Sequence, residues 1–190
     1  MADRGRGAGR GYSAGGGGPL SWVVTEKDDL LKDTARICRE LGLTHYHLGG
    51  QPSRLRTEYL ASRLREGTQA PLQVIAFVDY DEGGWTIGKA VVKQLLALGV
   101  TVERLDFLLR EEYFTPEEVR LYAHPCKSKT KALRTLARLW VESGGGIRGE
   151  ALGIHASHVK PFKRVQKLFL DLLAGKKFDT PPSICYLPGV

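Results

Sequence analysis

The chain has 190 residues, a formal net charge of +7 and 42% hydrophobic residues, figures that suit one ordinary globular domain with an extension. No apolar stretch approaches the roughly 20 residues that span a bilayer, and Met1-Ala2-Asp3-Arg4-Gly5-Arg6-Gly7 lacks the apolar core of a signal peptide, so a cytoplasmic protein with no membrane role is expected. Cys38, Cys126 and Cys185 are odd in number and far apart, which fits reduced thiols better than a disulfide framework or a zinc site.

In chain order, residues 1–19 are glycine-rich with Arg4, Arg6 and Arg10 interspersed. Such a segment cannot bury a core, and reads either as a plain tail or as an arm that touches nucleic-acid backbone. Ser21 to Thr25 is a predicted strand ending at Glu26. Leu30, Leu31, Thr34, Ile37, Cys38 and Leu41 then recur at helical spacing before Gly42. Thr44 to Leu48 is a second strand running into Gly49-Gly50-Gln51-Pro52, and Ser53 can cap a helix carrying Leu55, Tyr59, Leu60 and Leu64. Leu72 to Val78 is so short and so apolar that it reads as a strand buried on both faces. A helix over Thr86–Leu98 and a fourth strand over Val100–Leu105 follow. This alternation predicts a parallel sheet with helices on both faces. Thr115-Pro116-Glu117-Glu118 is a capping box with proline at the first helical position, opening a helix that His124-Pro125 must cut short. Helices from about Ser128 to Glu142 and from near Pro161 to Gly175 complete the pattern, with Pro181 to Gly189 extended.

The chemistry is concentrated at two predicted strand ends. Asp79-Tyr80-Asp81 follows the third strand directly, with Gly83-Gly84 behind it, and Glu26 closes the first. Carboxylates there sit at the carboxyl edge of the sheet, where α/β folds hold ligands, and magnesium takes carboxylates, waters and substrate phosphates. If the two strands are parallel neighbours, Glu26, Asp79 and Asp81 converge. The plainer alternative is that Asp28 and Asp81 only cap the helices that follow. Gly83-Gly84 could bring backbone amides to a phosphate, although no Walker or dinucleotide fingerprint is present. His45 and His47 share one side of their strand, as packing or a site rim. His155 and His158 are not at the i, i+4 spacing of a helical metal pair and read as caps or surface groups.

Charge is uneven. Residues 1–126 hold 16 basic and 17 acidic side chains, a balance of −1, whereas residues 127–190 hold 12 and 4, a balance of +8. Lys127, Lys131, Arg134 and Arg138 recur at i, i+4, i+7 and i+11, and Lys160, Lys163, Arg164 and Lys167 make a second stripe. Solvated helix faces usually mix signs, so two nearly pure basic stripes point to nucleic-acid backbone as partner.

Glu26 after the first strand, Asp79-x-Asp81 after the third and the βαβαβαβ order together resemble the Toprim domain. Within it, Val23-Val24-Thr25-Glu26-Lys27-Asp28, Gly49-Gly50-Gln51-Pro52 and Phe77-Val78-Asp79-Tyr80-Asp81 are most similar to the Toprim part of the topoisomerase VI A subunit and of the meiotic double-strand-break transesterase. The Asp-aromatic-Asp-x-Gly-Gly run is also similar to the Toprim nuclease subunit of the Wadjet plasmid-defence system. The expected fold class is therefore α/β: a Toprim-like, Rossmann-like central parallel sheet with helices on both faces plus a basic helical C-terminal extension. The expected division is 1–19 as an arm, 20–125 as the Toprim domain and 126–190 as the extension.

The resemblance implies a Mg2+ ion on Glu26, Asp79 and Asp81, with Glu26 as general acid/base and Lys27 assisting electrostatically. It implies a nucleic-acid substrate, DNA in preference to RNA, and admits a homodimer. Topoisomerase VI A-type proteins carry a winged-helix domain with the attacking tyrosine before the Toprim, whereas 19 residues precede the first strand here, and Tyr12 lies in no resembling motif. Three readings follow: a metal-site subunit whose tyrosine nucleophile comes from a winged-helix partner, alongside a GHKL-type ATPase; a stand-alone nuclease using water; or an inactive binding and assembly module.

Overall fold

The computed structural model describes residues 20–49, 57–62, 71–159 and 162–174. The glycine-rich segment 1–19 with Tyr12, residues Gly50-Gln51-Pro52 and Ser53, Lys160, and Pro181 to Gly189 lie outside the described residues.

Strand β1 (Leu20–Thr25) leads to helix α1 (Asp28–Leu41), β2 (Thr44–His47), a helix α2 described over 57–62, β3 (Leu72–Phe77), α3 (Glu82–Ala97) and β4 (Val102–Phe107). The four strands form one parallel sheet in the order β2-β1-β3-β4. The chain is thus α/β with a four-stranded parallel sheet flanked by helices. Alternation along the strands splits the core in two. Val23, Ile75 and Phe77 face α1, with Leu30, Ile37 and Cys38 buried against them. Trp22, Val24, Val74 and Ala76 face α2 and α3, against Leu60, Ala61, Ile87, Val91 and Leu95. All six residues of β3 are buried, as its unbroken apolar run requires.

The polypeptide after β4 wraps back over the first of these cores. Helix α4 (Pro116–Tyr122) has the expected reciprocal cap: Thr115 Oγ1 accepts from the Glu118 N–H and Glu118 Oε2 accepts from the Thr115 N–H. A two-residue strand β5 (His124–Pro125), helix α5 (Lys131–Glu142), a two-residue strand β6 (Leu152–Gly153) and helix α6 (Phe162–Leu173) follow. Val165, Leu168, Phe169 and Leu172 of α6 join Phe77 and Ile37 in one cluster, with the Phe169 ring edge-on to Phe77 at 6.0 Å. Residues on both sides of position 126 therefore share a core. Each such fully buried side chain contributes about 1.5–3 kcal/mol. Among the described residues, no helix is long and apolar enough to cross a membrane.

Three starts differ from the sequence reading by two residues or more. β4 starts at Val102, because Gly99 (φ 77°) turns the chain and the Val100 N–H is used on the Leu95 carbonyl. α3 starts at Glu82, four residues earlier than its apolar spacing suggested, because Asp81 caps it. α5 starts after Thr130, whose hydroxyl oxygen accepts from the Leu133 N–H. Lys127 consequently lies before the helix, outside the basic stripe assigned to it.

Candidate metal centre

β1 and β3 are neighbours with Thr25 paired to Phe77. Glu26 and the Asp79-Tyr80-Asp81 segment therefore leave the same edge of the sheet side by side. The C-terminal chain closes over this edge. Tyr80 and Ile154 exchange both backbone hydrogen bonds at 2.9 Å, and β5 pairs with β6 beside them. The approach is close: a Cβ on Gly153 would lie 2.7 Å from Asp81 Cβ.

Asp79 is the most enclosed member, 8% exposed. Lys27 Nζ is 2.5 Å from its Oδ2, the His155 Nδ1 is 2.9 Å from the same oxygen, and the Ala156 N–H donates to Oδ1 at 2.8 Å. Burial alone would raise its pKa and is the largest single influence. The hydrogen bonds from Lys27, His155 and Ala156 together outweigh it and hold the carboxyl below its ordinary value. Asp81 behaves oppositely. Burial raises its pKa, the Gly84 N–H opposes at 2.7 Å, and the charges of Asp79 and Glu82 raise it further. Glu26 is also raised, first by burial and then by Asp79, with Lys27 and Lys127 opposing. Glu26 thus senses both aspartates and Asp81 senses Asp79, and Glu26 and Asp81 hold protons more tightly than free carboxyls do. Perturbed acids gathered at one sheet edge make it a candidate functional site.

A cleft of about 280 Å³ opens beside them, walled by Asp79, Tyr80, Asp81, Trp85, Arg110 and Trp140. The donor set fits magnesium in kind, with Glu26 and Asp81 as carboxylates at the sheet edge beside the cleft. Asp79 is already engaged by a lysine. Among the described residues, the group of three possible ligands brought closest together is Asp81, His124 and His155, with ligand atoms all within 4.8 Å of one another.

Asp81 is both the N-cap of α3 and a member of the acid cluster, so capping and a place at the sheet edge fall to the same side chain. The Gly84 amide goes to that cap rather than standing open for a phosphate. Gly84 is nevertheless required, because a Cβ there would sit 2.1 Å from the Asp79 carbonyl oxygen. Glu82, also buried, accepts from the Lys127 N–H at 3.0 Å and fixes the 124–127 segment over the start of α3. Burial, then Glu82, push the Cys126 thiol up to about 12, which makes it a packing group. His45 and His47 both reach the Thr25 hydroxyl, and His47 Nε2 meets Asp28 Oδ1 at 2.7 Å, so they tie the edge strand to α1.

The sequence reading did not place His124 and His155 beside Asp79 and Asp81. His155 and His158, read from sequence as caps or surface groups, take separate ring partners: the His155 ring stacks on His124 at 4.4 Å, while His158 stacks on Tyr122 at 4.1 Å.

The basic residues are more committed than their spacing implied. Arg164 is bound to Glu118 and partly buried, Lys167 is bound to Asp171, and Arg138 lies 3.6 Å from Glu142. Arg134 donates to the Ser128 carbonyl. Lys127, Lys131 and Lys163 are exposed.

No protein-family model matches the chain, and no curated protein or solved structure is significantly similar to it.

Proposed function

We propose that this chain is a magnesium-binding, Toprim-type protein acting on the phosphodiester backbone of nucleic acid, DNA in preference to RNA. In this reading it is the metal-site subunit of a topoisomerase VI-like cleavage system whose tyrosine nucleophile comes from another chain. The observation that carries the reading is the side-by-side exit of Glu26 and Asp79-x-Asp81 from neighbouring parallel strands, close enough that both aspartates raise the pKa of Glu26 and Asp79 raises that of Asp81.

Glu26, Asp81 and, once Lys27 turns aside, Asp79 would hold the ion. When bound, magnesium neutralises phosphate charge and stabilises charge developing in the displacement. Glu26, whose proton affinity is raised by burial and by Asp79, is the acid of the cluster best suited to pass a proton to a leaving oxygen. The Lys27 ammonium supplies positive charge at the same edge, and Lys127 is near enough to act on Glu26. The need for an external nucleophile is supported by Tyr80. Although it stands between the two aspartates, its ring packs against Phe114 and Trp140, and its hydroxyl donates to the Gly146 carbonyl at 2.7 Å.

The test is a magnesium titration with supercoiled plasmid and structured RNA, run beside Glu26→Ala. The proposal expects magnesium-dependent binding to plasmid without cutting by the chain alone, and cutting when a winged-helix tyrosine protein is added. Cutting by the isolated chain that Glu26→Ala abolishes replaces it with the stand-alone nuclease. Binding indifferent to magnesium and to Glu26→Ala replaces it with the inactive module.

A further inference from the structure

We propose that Asp81, His124 and His155 form a binding site for a borderline transition ion of the zinc class. The site shares Asp81 with the magnesium reading but does not rest on it. The ligand atoms of the three residues lie within 4.8 Å of one another. Two imidazoles and a carboxylate suit zinc and its neighbours, with a fourth position left for water or substrate. Magnesium, which demands oxygens, is poorly served by such a set.

The ring nitrogens support this assignment independently. His155 Nδ1 is 2.9 Å from Asp79 Oδ2 and 3.2 Å from Lys27 Nζ. It cannot donate to one and accept from the other, and the ionised, shorter-range carboxylate places the proton on Nδ1. Nε2 is then the bare lone pair. His124 Nδ1 makes a long contact, 3.4 Å, with the Tyr122 carbonyl, which likewise leaves Nε2 free. Metal-binding histidines nearly always donate their other ring N–H to a carboxylate or a backbone carbonyl, and both of these do so before any ion arrives.

The backbone holds the three residues in register. Asp81 follows Tyr80, which is bridged to Ile154; His155 follows Ile154; and His124 pairs with Gly153. The segment carrying His124 is fixed again by the Glu82–Lys127 hydrogen bond. An ion must lie in the plane of each ring, roughly 2.0–2.1 Å from nitrogen. The rings now stack at 4.4 Å with planes 19° apart, so binding opens the stack by turning the His124 ring, whose hydrogen bond is the long 3.4 Å contact, while His155 keeps its bond to Asp79.

The experiment titrates the untagged full chain with Co2+ and follows its visible ligand-field absorption, with circular dichroism confirming the fold of each variant. The expected result is one equivalent bound, displaced by Zn2+ and retained in a large excess of Mg2+. His124→Ala and His155→Ala should each weaken binding by at least ~100-fold, beyond the ~10–100-fold typical of losing an outer-shell partner. No Co2+ spectrum in the wild type, or unchanged affinity in either histidine variant, overturns the site. Co2+ affinity lost in Glu26→Ala but kept in both histidine variants also overturns it, and places the ion in the acid cluster. The magnesium reading stands or falls separately, on the response of magnesium-dependent plasmid binding to Glu26→Ala.

Discussion

Lys27 Nζ lies 2.5 Å from Asp79 Oδ2, so the residue next to one acid of the cluster neutralises another. A cation entering at Asp79 must displace that ammonium. This gives Lys27 two opposed effects: it keeps Asp79 ionised, and it competes for the oxygen a metal would use.

Lys27→Gln should therefore bind magnesium more tightly, by up to ~10-fold, or about 1.4 kcal/mol. Its stability without metal should fall by about 1–3 kcal/mol, because a buried carboxylate loses its strongest partner while keeping His155 and Ala156. Calorimetric magnesium titration and urea unfolding of the same variant check both signs. Weaker magnesium binding would show that Lys27 supports the ion rather than competing with it.

Opposite pKa directions predict opposite pH slopes. Glu26 has a folded-state pKa above its unfolded value, so ionisation at neutral pH works against the fold and protonation in acid favours it. Glu26→Gln should raise the melting temperature by a few degrees at pH 7, with the gain vanishing as pH falls below the ordinary carboxylate range. Asp79 is held below its unfolded pKa of about 3.9. Its contribution is present above that pH and is lost as pH falls through the folded value, so Asp79→Asn should destabilise at neutral pH and cease to matter in strong acid. Melting curves across pH 3–8 test both slopes.

Gly84→Ala should destabilise by at least ~2 kcal/mol and loosen the Asp79–Asp81 turn, since its Cβ would lie 2.1 Å from the Asp79 carbonyl oxygen. Gly83→Ala, which meets only Asp81 side-chain atoms, the nearest at 3.2 Å, should be the milder change. Chemical denaturation of the pair is the check.

The basic face divides into groups free to meet phosphate and groups already used. Lys131→Ala and Lys163→Ala should weaken plasmid binding and each lower its salt slope by about 1. Arg164→Ala should leave the slope alone and reduce stability by about 1–3 kcal/mol through loss of Glu118. Salt-dependent binding curves, paired with melting, separate the two behaviours.

What could be read in the sequence was what local rules decide. The apolar run of β3, the capping box at Thr115 and the αL stop at Gly42 each depend on a few adjacent residues. The placing of Glu26 beside Asp79 and Asp81 needed only the further fact that β1 and β3 are parallel neighbours. His155 was hidden because its position is set by the Tyr80–Ile154 exchange between remote segments, and by two-residue strands that carry no periodicity. Arg164 looked like part of a solvent stripe because nothing local reveals that Glu118, on another helix, comes within reach. Lys127 was assigned to a helix because its spacing fits one, whereas Thr130 sets the true start.

The central claim is that the acids at the ends of β1 and β3 hold magnesium. The most direct measurement is calorimetric magnesium titration of the wild-type chain and of the Asp79→Ala, Asp81→Ala double variant, with circular dichroism confirming that the fold is retained. The account predicts measurable binding by the wild type and none by the double variant. Equal magnesium affinity in the two proteins would contradict it.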